Sequence, residues 1–355
     1  MGAALTLAKN NADVCVIDKS VFPRNKTCAG LVTGKTFDLI EGLFDGKSTD
    51  ELFCCTADIV KLFKRTELLT ESVLNKPVRL VNRRDFDAAL VEEYKRRGGL
   101  ILEGKKCAEV DYETNTVALS DGETLSYDYL LFADGALSMS HKSLKTDRRS
   151  LAFGIEAYIP SEGLDFNSIN LYFGYLNSGY AWVFPHGKTV CVGVGGILNK
   201  SVDYRGILTG LIQDLGLNAG EVKYTGAFFP YGYAVPQDKL PDNIMLLGDA
   251  GGFADPISGE GLYMSIGSGI YAAQAIVSDD PKKTYLNSIK DYITVVKDGK
   301  KAQKAFFSGP THKMLLNKMK GKNEFISFFF EKMVDEYIYG YRDVRKIYSD
   351  YKNKK

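Results

Sequence analysis

The stretch Gly248-Asp-Ala-Gly-Gly-Phe-Ala-Asp-Pro-Ile-Ser-Gly-Glu-Gly261 concentrates the residues of this chain best suited to holding a cofactor. It follows the apolar run Ile244-Met-Leu-Leu247 and precedes a helical pattern over 262–275. A buried strand ending in Gly248-Asp249, then a glycine-rich turn and a helix start, suits a flavin. The glycines let the backbone approach a ligand closely, and Asp249 can accept hydrogen bonds from sugar-alcohol hydroxyls. The helix beginning at Leu262 points its free N–H groups and positive dipole end at the turn, where a reduced, anionic flavin ring would be stabilised.

Composition narrows the alternatives. The 355 residues suffice for two domains or one large interleaved unit, and 45% of them are hydrophobic, as in an ordinary globular protein. A formal net charge of +1 gives no global field toward nucleic acid. The six cysteines (Cys15, Cys28, Cys54, Cys55, Cys107, Cys191) form no Cys-x-x-Cys pair, and with three histidines they predict reduced thiols in a cytoplasmic protein and no metal site. No apolar run reaches the roughly 20 residues that span a bilayer.

The elements that must position the cofactor residues begin at the N-terminus. Residues 2–18 read as a helix with the apolar face Ala4, Leu5 and Ala8, followed by the buried strand pattern Val14-Cys-Val-Ile17. Asp18 then stands where a dinucleotide fold places the acid that binds a ribose hydroxyl. In such a unit Gly2 is the last glycine of a Gly-x-Gly-x-x-Gly turn whose first strand is not in the sequence. Either the start is mis-assigned or engineered, or the protein lacks a dinucleotide turn; the order and spacing of helix, strand and acid favour the former. The expectation is weak flavin retention, with a flavin-free lipid-binding remnant as the non-enzymatic alternative.

Farther along, Arg83-Arg-Asp-Phe-Asp87 opens a helix over 86–97 ended by Gly98-Gly99, and Leu100-Ile-Leu102 reads as a strand. A meander over 105–127 turns at Asp121-Gly122, and Tyr129-Leu-Leu-Phe-Ala133 leads into Asp134-Gly135. From Ser150 to Tyr233 the pattern is β-rich. Residues 1–45, 78–149 and 240–290 are therefore expected to form the cofactor domain, 46–77 and 150–239 a substrate domain, and 291–355 a helical C-terminal region. The lysines near 313–322 and the aromatic run Phe325-Ile-Ser-Phe-Phe-Phe330 would suit peripheral membrane contact through 312–355, but internal packing of this tail is the favoured reading.

Four separated motifs point one way: Phe22-Pro-Arg-Asn-Lys-Thr-Cys-Ala-Gly30, Ala133-Asp-Gly135, Tyr180-Ala-Trp-Val-Phe-Pro185 and the Gly248–Gly261 stretch. Together, over about residues 2–290, they resemble the geranylgeranyl reductase family of FAD-dependent oxidoreductases, with a fold like para-hydroxybenzoate hydroxylase. The resemblance implies an α/β fold in which an FAD-binding, Rossmann-like dinucleotide domain is interleaved with a β-sheet substrate domain, with a helical C-terminal part. It implies hydride transfer from reduced FAD to a carbon–carbon double bond of an isoprenoid; the electron donor is left open, with NADPH and a reduced ferredoxin as the candidates. A monooxygenase or other dehydrogenase on the same fold is the enzymatic alternative.

Residue by residue, the resemblance makes Asp18 the adenosine-ribose acid. It places Arg24 and Cys28-Ala29-Gly30 in a loop beside the flavin, Arg83 along the cofactor, and Asp134 and Gly135 near flavin and pyrophosphate. Asp249 takes the ribityl or pyrophosphate region, and Gly259 and Gly261 face the ring. Gly2, Lys19, Gly248, Pro256, Glu260 and Leu262 complete the expected cofactor set. Cys28, Tyr180 and Trp182 are the expected catalytic or substrate-channel residues; with Phe184 the two aromatics alternate onto one strand face as a wall for a polyprenyl chain. The sequence departs from the family pattern at Ala29, usually glycine, and at Asn177, usually proline. Plainer readings stand beside these: Cys28 as a small buried hydrophobe, Asp255 and Glu260 as turn and first-turn carboxylates, and His186 as a surface-loop residue.

Overall fold

The computed structural model describes residues 1–10, 12–146, 150–161, 167–218 and 220–321, with scattered positions beyond. In chain order the strands are β1 (Cys15–Asp18), β2 (Leu31–Val32), β3 (Cys55–Lys64), β4 (Glu67–Leu80), β5 (Leu100–Glu103), β6 (Cys107–Asp111), β7 (Thr116–Leu119), β8 (Thr124–Ser126), β9 (Leu130–Phe132), β10 (Leu151–Pro160), β11 (Ser168–Phe173), β12 (Gly179–His186), β13 (Thr189–Ile197), β14 (Thr225–Pro230) and β15 (Ile244–Leu246). The helices are α1 (Gly2–Ala8), α2 (Gly34–Leu43), α3 (Arg83–Arg96), α4 (Ser140–Ser143), α5 (Tyr204–Asp214), α6 (Gly248–Gly251), α7 (Leu262–Ile276), α8 (Pro281–Ser288), α9 (Lys290–Phe306) and α10 (Gly309–Met319).

Short parallel strands flanked by helices make the first part. β1 lies parallel to β5, and β9 lies parallel to β15, as two separate pairs. α3 starts where the Asn82 side chain accepts the Arg84 N–H, with Asp85 in its first turn and Lys95 and Arg96 in its last, which matches the helix dipole at both ends. Its buried stripe Phe86, Leu90 and Tyr94 packs with Leu5, Ile40 and Ile266 from three other helices. The Tyr94 hydroxyl donates to the Val14 carbonyl at 2.6 Å, tying α3 to the segment that leads into β1.

The large sheet is antiparallel at most pairings and runs in the order β14-β10-β13-β12-β11-β3-β4-β2. Alternation divides its residues between two faces. One face carries Ala157, Ile159, Ala181, Val183, Val190, Val192 and Val194 and is covered by Leu208, Leu211 and Ile212 of α5. The register pairs Tyr180 with Gly195, Trp182 with Gly193, and Phe184 with Cys191, and it pairs Glu156 with Gly193, so these residues share the opposite face. That inner face also bears Ile169 and Phe173 and meets Phe306, Phe307 and Leu316 of the helical C-terminal part. α10 is thus packed internally through Leu316, and Lys320 pairs with Glu67 on β4. Most of the aromatic run from Phe325 lies outside the described residues. No helix among the described residues is long and apolar enough to cross a membrane.

Close helix crossing explains two glycines. A Cβ on Gly2 would stand 2.7 Å from the Ile266 carbonyl oxygen, and one on Gly269 2.8 Å from the Ala3 amide nitrogen, so α1 and α7 touch backbone to backbone. We expect Gly269→Val to destabilise the protein by about 1–3 kcal/mol, the usual cost of overpacking, read as a fall in the urea midpoint. An unchanged midpoint would mean the two helices have room to separate.

Candidate flavin and isoprenoid site

The candidate cofactor residues collect at the carboxyl ends of the parallel strands, where ligands sit in open α/β sheets. Asp18 ends β1; one of its oxygens accepts the Ser20 N–H at 2.8 Å, and the other lies 3.8 Å from Arg24 Nε. Arg24 continues to Asp87 at 3.0 Å, and Asp87 receives Arg83 through two bonds of 2.8 and 2.9 Å. Burial opposes charge on Asp87, but the Arg83 guanidinium, helped by Arg24 and Lys26, outweighs it and holds the carboxyl below its usual range. Arg83 also faces the Cys28 thiol. Lys19 is exposed beside this chain of charges.

The Leu247 N–H donates to the Phe132 carbonyl at 2.8 Å, which sets Asp134-Gly135 and Gly248-Asp249 side by side at two strand ends. Asp134 is exposed and accepts the Met139 N–H at 2.8 Å. Asp249 responds to burial, which pushes its carboxyl up, against Lys26 and Arg83, which pull it down. The glycine-rich stretch is not simply a turn: Gly248–Gly251 forms the short helix α6, ended by Gly252 at φ +80°, where a Cβ would strike the Tyr233 carbonyl oxygen at 2.1 Å. Gly261 is the N-cap of α7, with Leu262 its first residue, and a Cβ there would lie 3.3 Å from an Asp249 oxygen. Gly2, by contrast, sits inside α1 against α7.

Asp255 and Glu260 build the loop. Asp255 Oδ1 accepts the N–H groups of Ile257 and Ser258 at 2.7 and 2.8 Å. Glu260 accepts the Thr33 and Thr36 hydroxyls at 2.9 and 3.2 Å and pairs with Lys35 at 3.2 Å, fastening the loop to the start of α2. Pro256 packs on Gly299 of α9.

The apolar wall meets this loop directly. The Tyr180 hydroxyl donates to the Ser258 carbonyl, next to Gly259. Trp182 lies flat over a floor of glycines: a Cβ on Gly193 would be 2.2 Å from the indole, and one on Gly195 3.2 Å. Tyr180 and Trp182 stack edge to face with centroids 6.1 Å apart, and Phe173 adjoins Tyr180 at 6.3 Å.

The Cys28-Ala29-Gly30 loop borders the same wall. Gly30 needs its lack of a side chain, since at φ +73° a Cβ would stand 2.2 Å from the Val81 carbonyl oxygen. Ala29 presents its carbonyl to His186 Nε2 at 2.9 Å. A carbonyl only accepts, so Nε2 carries the proton and Nδ1 faces the Cys54 thiol at 3.5 Å. His186 is 8% exposed and burial lowers its pKa, which corrects the surface-loop reading: β12 runs through Pro185, so His186 is the buried last residue of a strand.

Sequence reasoning passed over Glu156. It is 1% exposed on the inner face; Oε1 accepts the Cys28 N–H at 2.7 Å, and Oε2 accepts the Cys191 thiol at 3.6 Å. Burial pushes its carboxyl up to about 7. The signal was a lone acid in the apolar strand Leu151–Pro160. Asp87 was passed over too, although its spacing of four from Arg83 on one helix face marks an ion pair.

An α/β architecture with acids at parallel strand ends, a glycine-rich loop and an apolar antiparallel sheet facing it defines a flavin-dependent oxidoreductase fold. A crystal structure of a geranylgeranyl bacteriochlorophyll reductase-like protein from Thermoplasma acidophilum shares that fold, with a TM-score of 0.79 over 98% of this chain and 92% of that one, at 20% identity. An uncharacterized protein of Methanosarcina barkeri is 33% identical over 280 residues, covering 78% of this chain and 71% of the relative. The geranylgeranyl diphosphate reductase of Rhodobacter capsulatus is 29% identical over 293 residues, 78% of this chain and 72% of that protein. No family model matches the chain. The chain belongs to the geranylgeranyl reductase family of FAD-dependent oxidoreductases.

Because the Glu156 carboxyl has its pKa raised on folding, ionising it destabilises the native state as pH rises from the unfolded value through about 7. Glu156→Gln removes that ionisation. Its stability relative to wild type should therefore improve between pH 5 and 8, by up to about 3 kcal/mol, measured by urea unfolding at both pH values. A pH-independent difference would contradict the assignment.

Proposed function

We propose that this protein reduces carbon–carbon double bonds of a polyprenyl chain, such as the geranylgeranyl group in the name of its Rhodobacter capsulatus relative. The observation that carries this reading is the aromatic wall of Tyr180 and Trp182 on a glycine floor, joined at Ser258 to the glycine-rich loop. The residues present suit FAD. Asp18 and Asp249 offer acceptors at strand ends, the loop beside Gly259 and Gly261 leaves backbone open to a flat ring, and Lys26 and Arg83 supply positive charge near Asp249.

When bound and reduced, FAD supplies a hydride to one carbon of the double bond, and a proton completes the other. The chain's own groups do the rest. Trp182 and Tyr180 orient the alkene by broad apolar contact and keep water away from it, which raises the fraction of time it lies in reacting geometry. Asp255 and Glu260 hold the loop in place through backbone and hydroxyl donors rather than by reacting. Arg83 and Arg24 keep Asp87 charged and fix the segment that carries Cys28. Hydride transfer to an alkene needs no nucleophilic side chain.

The test uses FAD-loaded protein reduced with dithionite, so that it is independent of whether NADPH or a reduced ferredoxin is the natural donor. Incubation with geranylgeranyl diphosphate, an archaeal-type geranylgeranyl lipid or a prenyl quinone should give a product that gains two hydrogens per reduced bond by mass spectrometry. An oxygen-dependent hydroxylated product would instead establish the monooxygenase reading.

Trp182→Ala should raise KM for the chain by about tenfold to a hundredfold, as expected for losing roughly 1.5–3 kcal/mol of apolar burial, with FAD binding retained. An unchanged KM would take Trp182 out of the substrate wall.

A further inference from the structure

Glu156 stands out as a buried carboxyl on a face dominated by aromatic rings, glycines and aliphatic side chains. Every element packed around it contributes a facing group: Cys191 from β13, Arg83 from α3, Tyr158 along its own strand, Thr225 opposite on β14, and the Cys28 amide from the loop. Burying a carboxyl here is costly unless it is bonded, and the bonds it makes lead to one place. Its Oε1 takes the Cys28 N–H, while the Tyr158 hydroxyl, two residues along, donates to the Cys28 carbonyl at 3.2 Å. One strand thus grips both polar groups of the Cys28 backbone. Beyond Cys28 the loop is tied through Ala29 to His186 and through Gly30 to Val81.

We propose that Glu156 is the positioning residue of the Cys28–Gly30 loop, seating it against the substrate sheet through the Cys28 amide when its carboxyl is ionised and loosening it when the carboxyl is protonated. A charged acceptor holds an amide about twice as strongly as a neutral one. In a local opening that breaks this bond and leaves Glu156 buried, ionisation therefore favours the seated loop, even though it lowers stability against global unfolding, where the carboxyl becomes solvated. With the carboxyl pushed up to about 7, the change falls within the physiological range. The inference rests on the reading that this loop borders the reaction site, and it deepens that reading by making the seating of Cys28 pH-dependent.

The test is amide hydrogen exchange at Cys28 in the full-length protein without substrate, corrected for the intrinsic pH dependence of exchange. Protection of the wild-type Cys28 amide should rise about tenfold from pH 6 to pH 8. In Glu156→Gln, which keeps an acceptor but cannot ionise, protection should stay flat at the low level. A purely structural role predicts the same profile in both proteins, and that result, or a flat wild-type profile, would overturn the proposal. Cys191→Ala gives a second test should Glu156→Gln not fold: removing the thiol that donates to the carboxylate should shift the wild-type step to higher pH, and an unmoved step would overturn the proposal equally. Absence of isoprenoid reduction with the step intact would count against the proposed function alone.

Discussion

The bond from the Tyr180 hydroxyl to the Ser258 carbonyl joins the two halves of the site. On one side is a sheet whose inner face must stay apolar and flat; on the other is a loop that must leave its backbone uncovered. Tyr180 meets both demands, because its ring belongs to the wall while its hydroxyl bonds the loop. The glycines at 193 and 195 follow from the same constraint, since Trp182 can lie flat only where the strand beneath has no side chains. The wall, the glycine floor and the loop are therefore one unit of packing.

Charge is arranged around that unit rather than in it. Asp18, Arg24, Asp87 and Arg83 form an alternating row, and its buried members are tolerable because each is paired through good geometry. Breaking a buried pair by removing one partner is far costlier than never having built it, so the row is rigid once formed. It ends at Cys28, where the loop passes to the sheet. Glu156 then carries polarity onto the inner face, and it is the point at which the apolar wall and the charged row meet.

Much of this was legible in the sequence. Alternation identified the shared face of Tyr180 and Trp182, and the apolar runs before Asp18, Asp134 and Asp249 located strand ends at or within a few residues of their observed positions. The short helix at Gly248–Gly251 was not visible, because five glycines in fourteen residues read as a turn, although Gly252 at φ +80° ends a helix there. Glu156 and His186 were missed for a common reason. Local patterning reports which face a residue occupies, whereas their roles depend on a loop more than a hundred positions away. The place of Gly2, between two helices, likewise depends on Ile266.

The account is tested most directly by the anaerobic reoxidation of chemically reduced, FAD-loaded protein, followed through the return of the oxidised-flavin absorbance. It predicts that a geranylgeranyl compound restores the oxidised spectrum, while the same compound with a fully saturated chain leaves the flavin reduced. Reoxidation that ignores the double bonds, or that occurs only when oxygen is admitted, would contradict it.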